Sequence, residues 1–206
     1  MGTLPGQKST PERLVIGMSG ASGAAYGIRL LEACRELEVE SHLVMTRPAE
    51  MTIGYETPFK PKAVAAKADY RYGADDIAAP IASGGFKTMG MIVAPCSVKA
   101  MSEIATGVTT TLLSRAADVC LKEKRCLVLM VRETPLHLGH LRNLAALAEM
   151  GAVILPPVPA FYAAPRTLED LVDQTVGRAL DFFGKDWPKV KRWGEDIAKS
   201  KRKGGR

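Results

Sequence analysis

Short β-type apolar runs alternate along this chain with longer stretches of helical period. The runs are Leu14 to Met18, His42 to Met45, Met91 to Pro95, Leu127 to Val131 and Ala152 to Leu155. Strands separated by helices predict a parallel sheet covered on both faces, an α/β fold with three layers and a doubly wound order. Between Gly23 and Leu37 the apolar residues Ala24, Ile28, Leu31, Cys34 and Leu37 recur three or four apart, which predicts one buried helical stripe. Further helices are predicted over Val98 to Ala105, Thr110 to Lys122, Leu138 to Met150 and Thr167 to Phe183, with Gly151 closing the one that begins at Leu138. The segment Thr57 to Gly85 carries Pro58, Pro61, Pro80 and Ser83-Gly84-Gly85, so it is expected to be a loop-rich excursion over the strand ends. Ligands in open α/β sheets bind outside the carboxyl ends of the strands. Those ends read GMSGASG, MTRP, APCSVKAMS, VRETP and PPVPAFY, and the five loops are expected to be neighbours.

Composition narrows the class. With 206 residues, 47% of them hydrophobic, the chain can bury a substantial core, and disorder of the whole chain is excluded. The formal charge of +6 invites a nucleic-acid reading, but residues 185–206 hold nine Lys/Arg against three Asp/Glu, and the first 184 residues are balanced. The basic end KSKRKGGR has no interleaved aromatic platform, so it reads as a solvated, frayed terminus with no nucleic-acid role. No run of eighteen apolar residues exists, which excludes a helical membrane span on length. The start MGTLPGQKSTPER lacks an apolar signal core, and Gly6 stands where a myristoylation motif needs Ser or Thr. Cys34, Cys96, Cys120 and Cys126 have neither a C-x-x-C pair nor metal-ligand spacing, so they are expected to be small buried hydrophobes of a reducing compartment. A cytoplasmic protein is the expectation.

Candidate chemistry gathers at the predicted strand ends. GMSGASGAAYG, residues 17–27, puts four glycines and two serines between a strand and a helix, where free N–H groups and a helix dipole could cradle a phosphate. It is neither a Walker A loop nor a G-x-G-x-x-G fingerprint, so a flavin or mononucleotide phosphate and plain tight packing both remain open. Ser97 in APCSVKAMS can cap a helix or hold a ring or ribityl chain. Arg132 and Glu133 in VRETP lie just past a strand and must face solvent or a site. Arg115, Asp118 and Lys122 share one helix face, for which salt-bridge decoration is the ordinary reading. His137 and His140 lie beside Glu133, but no third ligand has zinc-type spacing and a helix-surface role is expected. Tyr162 and Arg178 are polar groups in apolar context, where packing alone would also account for them.

Several longer blocks are more specific: SGGFKTMGMIVAPCS, TTTLLSRAADVCLKEKRCLVLMVRETPLHLGHLRNL, EMGAVILPPVPAFY, LEDLVDQTVGRALD and the late RWGE. With the glycine turn they make the chain resemble the flavin prenyltransferase family, the UbiX-like proteins, from about Arg13 to Glu195. The resemblance implies a flavodoxin-like or Rossmann-like sheet that binds reduced FMN. It implies transfer of a dimethylallyl group from dimethylallyl phosphate to flavin N5 and C6 without a metal, the product serving a UbiD-type decarboxylase. Gly20, Ala21, Ser22, Thr46, Ser97, Val98, Lys99, Ala100 and Arg132 would contact FMN. Arg115, Lys122, Tyr162 and Arg178 would bind the donor phosphate, Glu133 would be the acid/base, Ser22 a hydroxyl at N5 and Trp193 an aromatic wall beside the allylic cation. The division implied is a flexible start over 1–12, a prenyltransferase domain over 13–184, and an extension over 185–206. Homododecamers with the site between subunits are implied as well. Two departures stand out: Thr46 where many members have Ser, and Ile77 where some have Trp, which bears on the prenyl pocket. An FMN-dependent cysteinyl-peptide decarboxylase is a second reading, although PCSVKAMSE stands where that group carries P-x-M-N-x-x-M-W. A non-catalytic FMN-binding accessory subunit is a third.

Overall fold

A computed structural model describes residues 12–195. The N-terminal segment except Glu12, and the basic end KSKRKGGR, lie outside the described residues. Six strands, β1 (Arg13–Met18), β2 (Glu40–Met45), β3 (Tyr70–Tyr72), β4 (Gly90–Cys96), β5 (Cys126–Val131) and β6 (Val153–Ile154), form one sheet in the order β3-β2-β1-β4-β5-β6. Every pairing is parallel, with Val15 opposite His42 and Met91, and Ile92 opposite Val128. The chain starts in the middle of the sheet and winds outward in both directions, so the switch point lies between β1 and β4, and ligand sites in such sheets gather there.

Among the described residues seven helices cover the sheet: α1 (Ala24–Glu36), α2 (Arg47–Glu56), α3 (Pro61–Ala65), α4 (Val98–Thr106), α5 (Leu112–Lys122), α6 (Leu138–Glu149) and α7 (Leu168–Asp181). One face packs α1 and α7 on the sheet through Ile28, Leu31, Val176 and Leu180. The other packs α4, α5 and α6 through Met101, Leu113, Ala117 and Leu147. Strand side chains feed both clusters alternately, Ile16 and Ile92 on one face and Val15 and Met91 on the other, which is why the strands are apolar throughout. The close seat of α1 requires Gly27, since a Cβ there would lie 2.4 Å from the Ala94 carbonyl oxygen.

The five strands and five long helices expected from periodicity are present within a few residues of their predicted limits. The Thr57–Gly85 excursion, expected to be loop-rich, also contains α3, the edge strand β3 and a 3-10 turn at Pro80–Ala82. Helix α2 was not predicted. It buries only Ala49 and Ile53, too thin a stripe to set a period, and its start is marked by the Thr46 cap and Pro48. Beyond α7 the chain returns as a strap. Trp187 is 1% exposed in the α1 and α7 cluster, its ring nitrogen donates to Glu36 at 2.8 Å, and Val190 sits where a Cβ on Gly177 would be, 1.9 Å away.

Candidate functional site

Three helices begin around one cleft of about 500 Å³ at the carboxyl ends of β1, β2 and β4. Each start is capped by a hydroxyl: Thr46 Oγ1 accepts from Ala49 N–H at 3.3 Å, Ser97 Oγ from Ala100 N–H at 3.2 Å, and Thr111 Oγ1 from Ser114 N–H at 3.3 Å. Three dipoles therefore direct positive ends toward the cleft, whose wall carries Arg47 and Lys99 together with Asp75 and Glu103, the last paired with Lys99 at 2.5 Å. Gly20 forms another wall, and a side chain there would meet Pro48 at 2.3 Å. Under the cleft floor Ser19, 2% exposed, ties two strands together: its hydroxyl donates to the Pro95 carbonyl at 2.9 Å and accepts Ser97 N–H at 2.7 Å.

Of the two readings left open for the glycine turn, a phosphate cradle and tight packing, the structure shows the start of α1 met by a carboxylate of the chain itself. Glu56, the last residue of α2, reaches across so that its Oε2 accepts the N–H groups of Gly23 and Ala24 at 2.8 and 2.9 Å. The start of α1 is thus filled by a carboxylate from the protein, and the helix starts that line the cleft are those of α2, α4 and α5. Gly23 holds φ +104°, a conformation that favours glycine, and this turns both amides toward Glu56. Burial pushes the Glu56 carboxyl up, but the Ser22 hydroxyl, the two amides and the nearby Arg132 guanidinium outweigh it and hold the group below its ordinary range. Arg132 follows β5 directly, its N–H bonded to Cys96 O at 3.0 Å, so that its charge stands by Ser22 and Glu56. Next to it Glu133 is exposed and accepts its neighbour Thr134 N–H at 2.9 Å.

The residues expected around the donor phosphate divide between the two faces of the sheet. Arg115 and Lys122 are on α5: Arg115 donates to Ala82 O at 3.2 Å and pairs with Asp118 at 2.8 Å, and Lys122 pairs with Glu123 at 2.5 Å. Tyr162, Arg178 and Trp193 belong to the α7 face. Tyr162 and Trp193 meet edge to face with centroids 6.1 Å apart, and Arg178 pairs with Asp181 at 2.5 Å. The grouping of Arg115 and Lys122 with Arg178 in one phosphate nest is therefore not made within one chain, because the sheet separates α5 from α7. Ile77 is 75% exposed in the turn after β3. His137 caps α6, its Nδ1 accepting Gly139 N–H at 3.0 Å, and stacks on His140 with centroids 3.6 Å apart. Among the described residues no group of three His, Cys, Asp or Glu could hold a metal.

A family profile described as Flavoprotein matches residues 3–180. The flavin prenyltransferase UbiX of Escherichia coli K12 is 54% identical over 185 residues, spanning 88% of this chain and 98% of that protein. The chain belongs to the UbiX-like flavin prenyltransferases. Among solved structures, AnUbiX (PadA1) in complex with FMN and dimethylallyl pyrophosphate matches this flavin prenyltransferase with TM-score 0.89 and 52% identity, over 90% of this chain and 98% of that one. A dodecameric FMN-dependent UbiX-like decarboxylase from Escherichia coli O157:H7 matches with TM-score 0.86 and 50% identity, over 88% and 98% of the two chains. The six-stranded parallel sheet of this prenyltransferase is thus the flavodoxin-like fold of those structures.

Sequence reasoning missed two residues of the site. Ser19 was visible only as one of two serines in the glycine turn, and nothing in the sequence distinguishes a hydroxyl facing β4 from one facing solvent. Glu56 lies 32 to 33 positions from the amides it caps, on a helix that was itself not predicted.

Proposed function

We propose that this chain transfers a dimethylallyl group from dimethylallyl phosphate to reduced FMN and passes the prenylated flavin to a UbiD-type decarboxylase. The observation that carries the reading is the cleft itself: three capped helix starts and a glycine wall beside the Ser22, Glu56 and Arg132 cluster. These residues suit a flavin mononucleotide. The helix starts answer a phosphate, Gly20 leaves room for close backbone approach, and Val98 and Ala100 give apolar contact beside the Ser97 hydroxyl.

Gly20, Ala21, Ser22, Thr46, the Ser97 to Ala100 stretch and Arg132 would hold FMN. When bound in its reduced form it supplies the nucleophilic N5 and C6 positions. The chain does the rest. Ser22 presents a hydroxyl beside Glu56 at the acceptor, and Glu133 is an ionisable group able to move a proton beside Arg132. Arg115, Lys122, Arg178 and the Tyr162 hydroxyl are donors for the leaving phosphate, whose charge grows as the allylic bond breaks. Fixed guanidinium and ammonium groups fill the part that a divalent metal takes in many prenyl transfers. Trp193 offers an aromatic face to the allylic cation.

Because α5 and α7 face opposite ways, a complete donor site requires α5 from one subunit and α7 from another. Assembly into a homo-oligomer, a dodecamer by the likeness to the Escherichia coli O157:H7 structure, follows from that requirement. The cysteines are free, and burial pushes Cys34, Cys96 and Cys120 up to about 12, as suits inert thiols of a reducing cytoplasm. No helix among the described residues is long and apolar enough to cross a membrane. Incubation with reduced FMN, dimethylallyl phosphate and a chelator, followed by mass analysis of the extracted flavin, is the direct test. The expected result is a flavin heavier by one dimethylallyl unit; recovery of unmodified FMN alone ends the reading.

A further inference from the structure

We infer that Lys191 and Arg192 are positioning residues that set Tyr162 and Arg178 for the prenyl donor, an inference that rests on the roles proposed above for those two residues. Three consecutive strap residues each reach one part of the donor end. Lys191 Nζ donates to the Ala163 carbonyl at 3.0 Å, directly after Tyr162. Trp193 meets the Tyr162 ring edge on. Arg192 grips Asp181 with both ends of its guanidinium, at 3.0 and 2.6 Å, and the same carboxylate holds Arg178 at 2.5 Å.

The strap is itself fixed to α7. Gln174, 3% exposed, exchanges two hydrogen bonds with the backbone of Lys191, both 3.0 Å, and Val190 fills the place of the missing side chain at Gly177. A rigid anchor at Gln174 therefore carries Lys191 to the short 3-10 turn Phe161–Ala163 that presents Tyr162. The loop beyond it needs such a hold, because Ala164 adopts φ +48°, an unusual conformation for a residue with a side chain.

The Arg192 contact acts through charge. Asp181 with Arg178 as its sole cation would compete with an incoming phosphate for that guanidinium. With Arg192 bound through two nitrogens, Asp181 stays paired when Arg178 turns to a dianionic phosphate, so releasing Arg178 costs less. Arg178 is half exposed and can make that exchange without unburying anything.

The test uses full-length assembled protein carrying Lys191→Met, Lys191→Arg, Arg192→Gln or Arg192→Gln with Asp181→Asn. Lys191→Met is expected to raise KM for dimethylallyl phosphate about tenfold, leave kcat and FMN affinity within about twofold, and speed hydrogen exchange over residues 160–165. Lys191→Arg, which keeps a donor, recovers most of that loss. Arg192→Gln raises KM by a similar factor, and adding Asp181→Asn brings it back toward wild type because the competing charge is gone. Unchanged exchange in the Lys191→Met loop overturns the inference, as does an unchanged KM or a double variant no better than Arg192→Gln. If the wild-type protein transfers no prenyl group, the proposed function has failed instead, and the exchange rates still decide whether the strap holds the Tyr162 loop.

Discussion

Ser19 and Ser97 are joined beneath the cleft at the ends of β1, β2 and β4: the Ser19 hydroxyl accepts the Ser97 N–H at 2.7 Å while donating to Pro95 O at 2.9 Å. One buried side chain thereby fixes the spacing between the ends of β1 and β4, where the glycine turn and the start of α4 diverge. Ser19→Ala leaves the Ser97 N–H without an acceptor in a place water does not reach, while Pro95 O keeps the Ser19 N–H at 3.1 Å, so unfolding stability is expected to fall by about 1–3 kcal/mol. FMN affinity should fall with it, since Gly20 and Ser97 flank the bond. Urea denaturation and a flavin fluorescence titration measure the two effects, and full stability with full affinity would show that the bond does neither.

Glu56 contributes through charge and geometry together. Its folded-state pKa lies below the ordinary 4.5, so its stabilising contribution is complete above that value and is lost as pH falls through the folded one. Glu56→Ala takes the acceptor from the N–H groups of half-buried Gly23 and buried Ala24, and the loss of such a cap is expected to cost about 0.5–2 kcal/mol at pH 7. The gap between wild type and Glu56→Ala should persist down to about pH 4.5 and close below it, which thermal melts across pH 3 to 7 will show. Glu56→Gln keeps a capping oxygen without the charge opposite Arg132, so it is expected to fold normally while prenyl transfer drops by about tenfold or more.

How far the sequence carried these conclusions differs between fold and site. Long elements that bury a wide stripe, such as α1 with Ile28, Leu31 and Cys34 or α5 with Leu112, Ala116 and Cys120, declared themselves by period. Elements held from outside did not. The three residues of β3 owe their place to β2 rather than to a pattern of their own, and α2 is held by its cap and two buried residues. In the site, residues bound to a local motif, such as the Ser97 cap or Arg132 past its strand, were legible. Glu56 was not, because its partners are set by how α2 crosses α1, a relation made only in three dimensions. The same limit hid the separation of Arg115 from Arg178, since two sequence blocks carry no record of which sheet face each covers.

His42 gives the fold a pH dependence of its own. The ring is 2% exposed, stacked on Tyr70 with centroids 4.8 Å apart and met edge on by Phe86 at 5.2 Å. Its nitrogens are bonded to the Tyr72 hydroxyl and to Glu40, each at 2.8 Å, and Glu40 is shared with Arg13 at 2.7 Å. Burial pushes the His42 pKa down more than Glu40 raises it, with Arg13 lowering it and Asp69 raising it slightly. A base depressed on folding leaves stability complete above its unfolded pKa, near 6.5, and removes it as the medium acidifies below that point. The slope approaches about 1.4 kcal/mol per pH unit while only the unfolded chain is protonated. His42→Gln cannot titrate, so its stability curve should be flatter as pH falls below 6.5, whatever its value at neutrality. Parallel curves for the two proteins would remove His42 as the source.

Glu133 separates binding from chemistry most cleanly. Its side chain is exposed, and its carboxylate oxygen accepts Thr134 N–H at 2.9 Å, a bond that an amide oxygen can also make. Glu133→Gln should therefore preserve the loop, the neighbouring Arg132 and FMN affinity to within about twofold, while removing the ability to take up and return a proton. Loss of a positioned acid/base costs about 10²–10⁴ in rate, so little finished prenyl-flavin is expected over a period in which the wild type converts all of its FMN. Ser22 does not replace Glu133, because a serine hydroxyl has no acidity of its own near neutral pH. Flavin titration and mass analysis on the same preparation check both halves. Turnover at the wild-type rate would remove Glu133 from the proton transfers and leave the Glu56 carboxylate to make them.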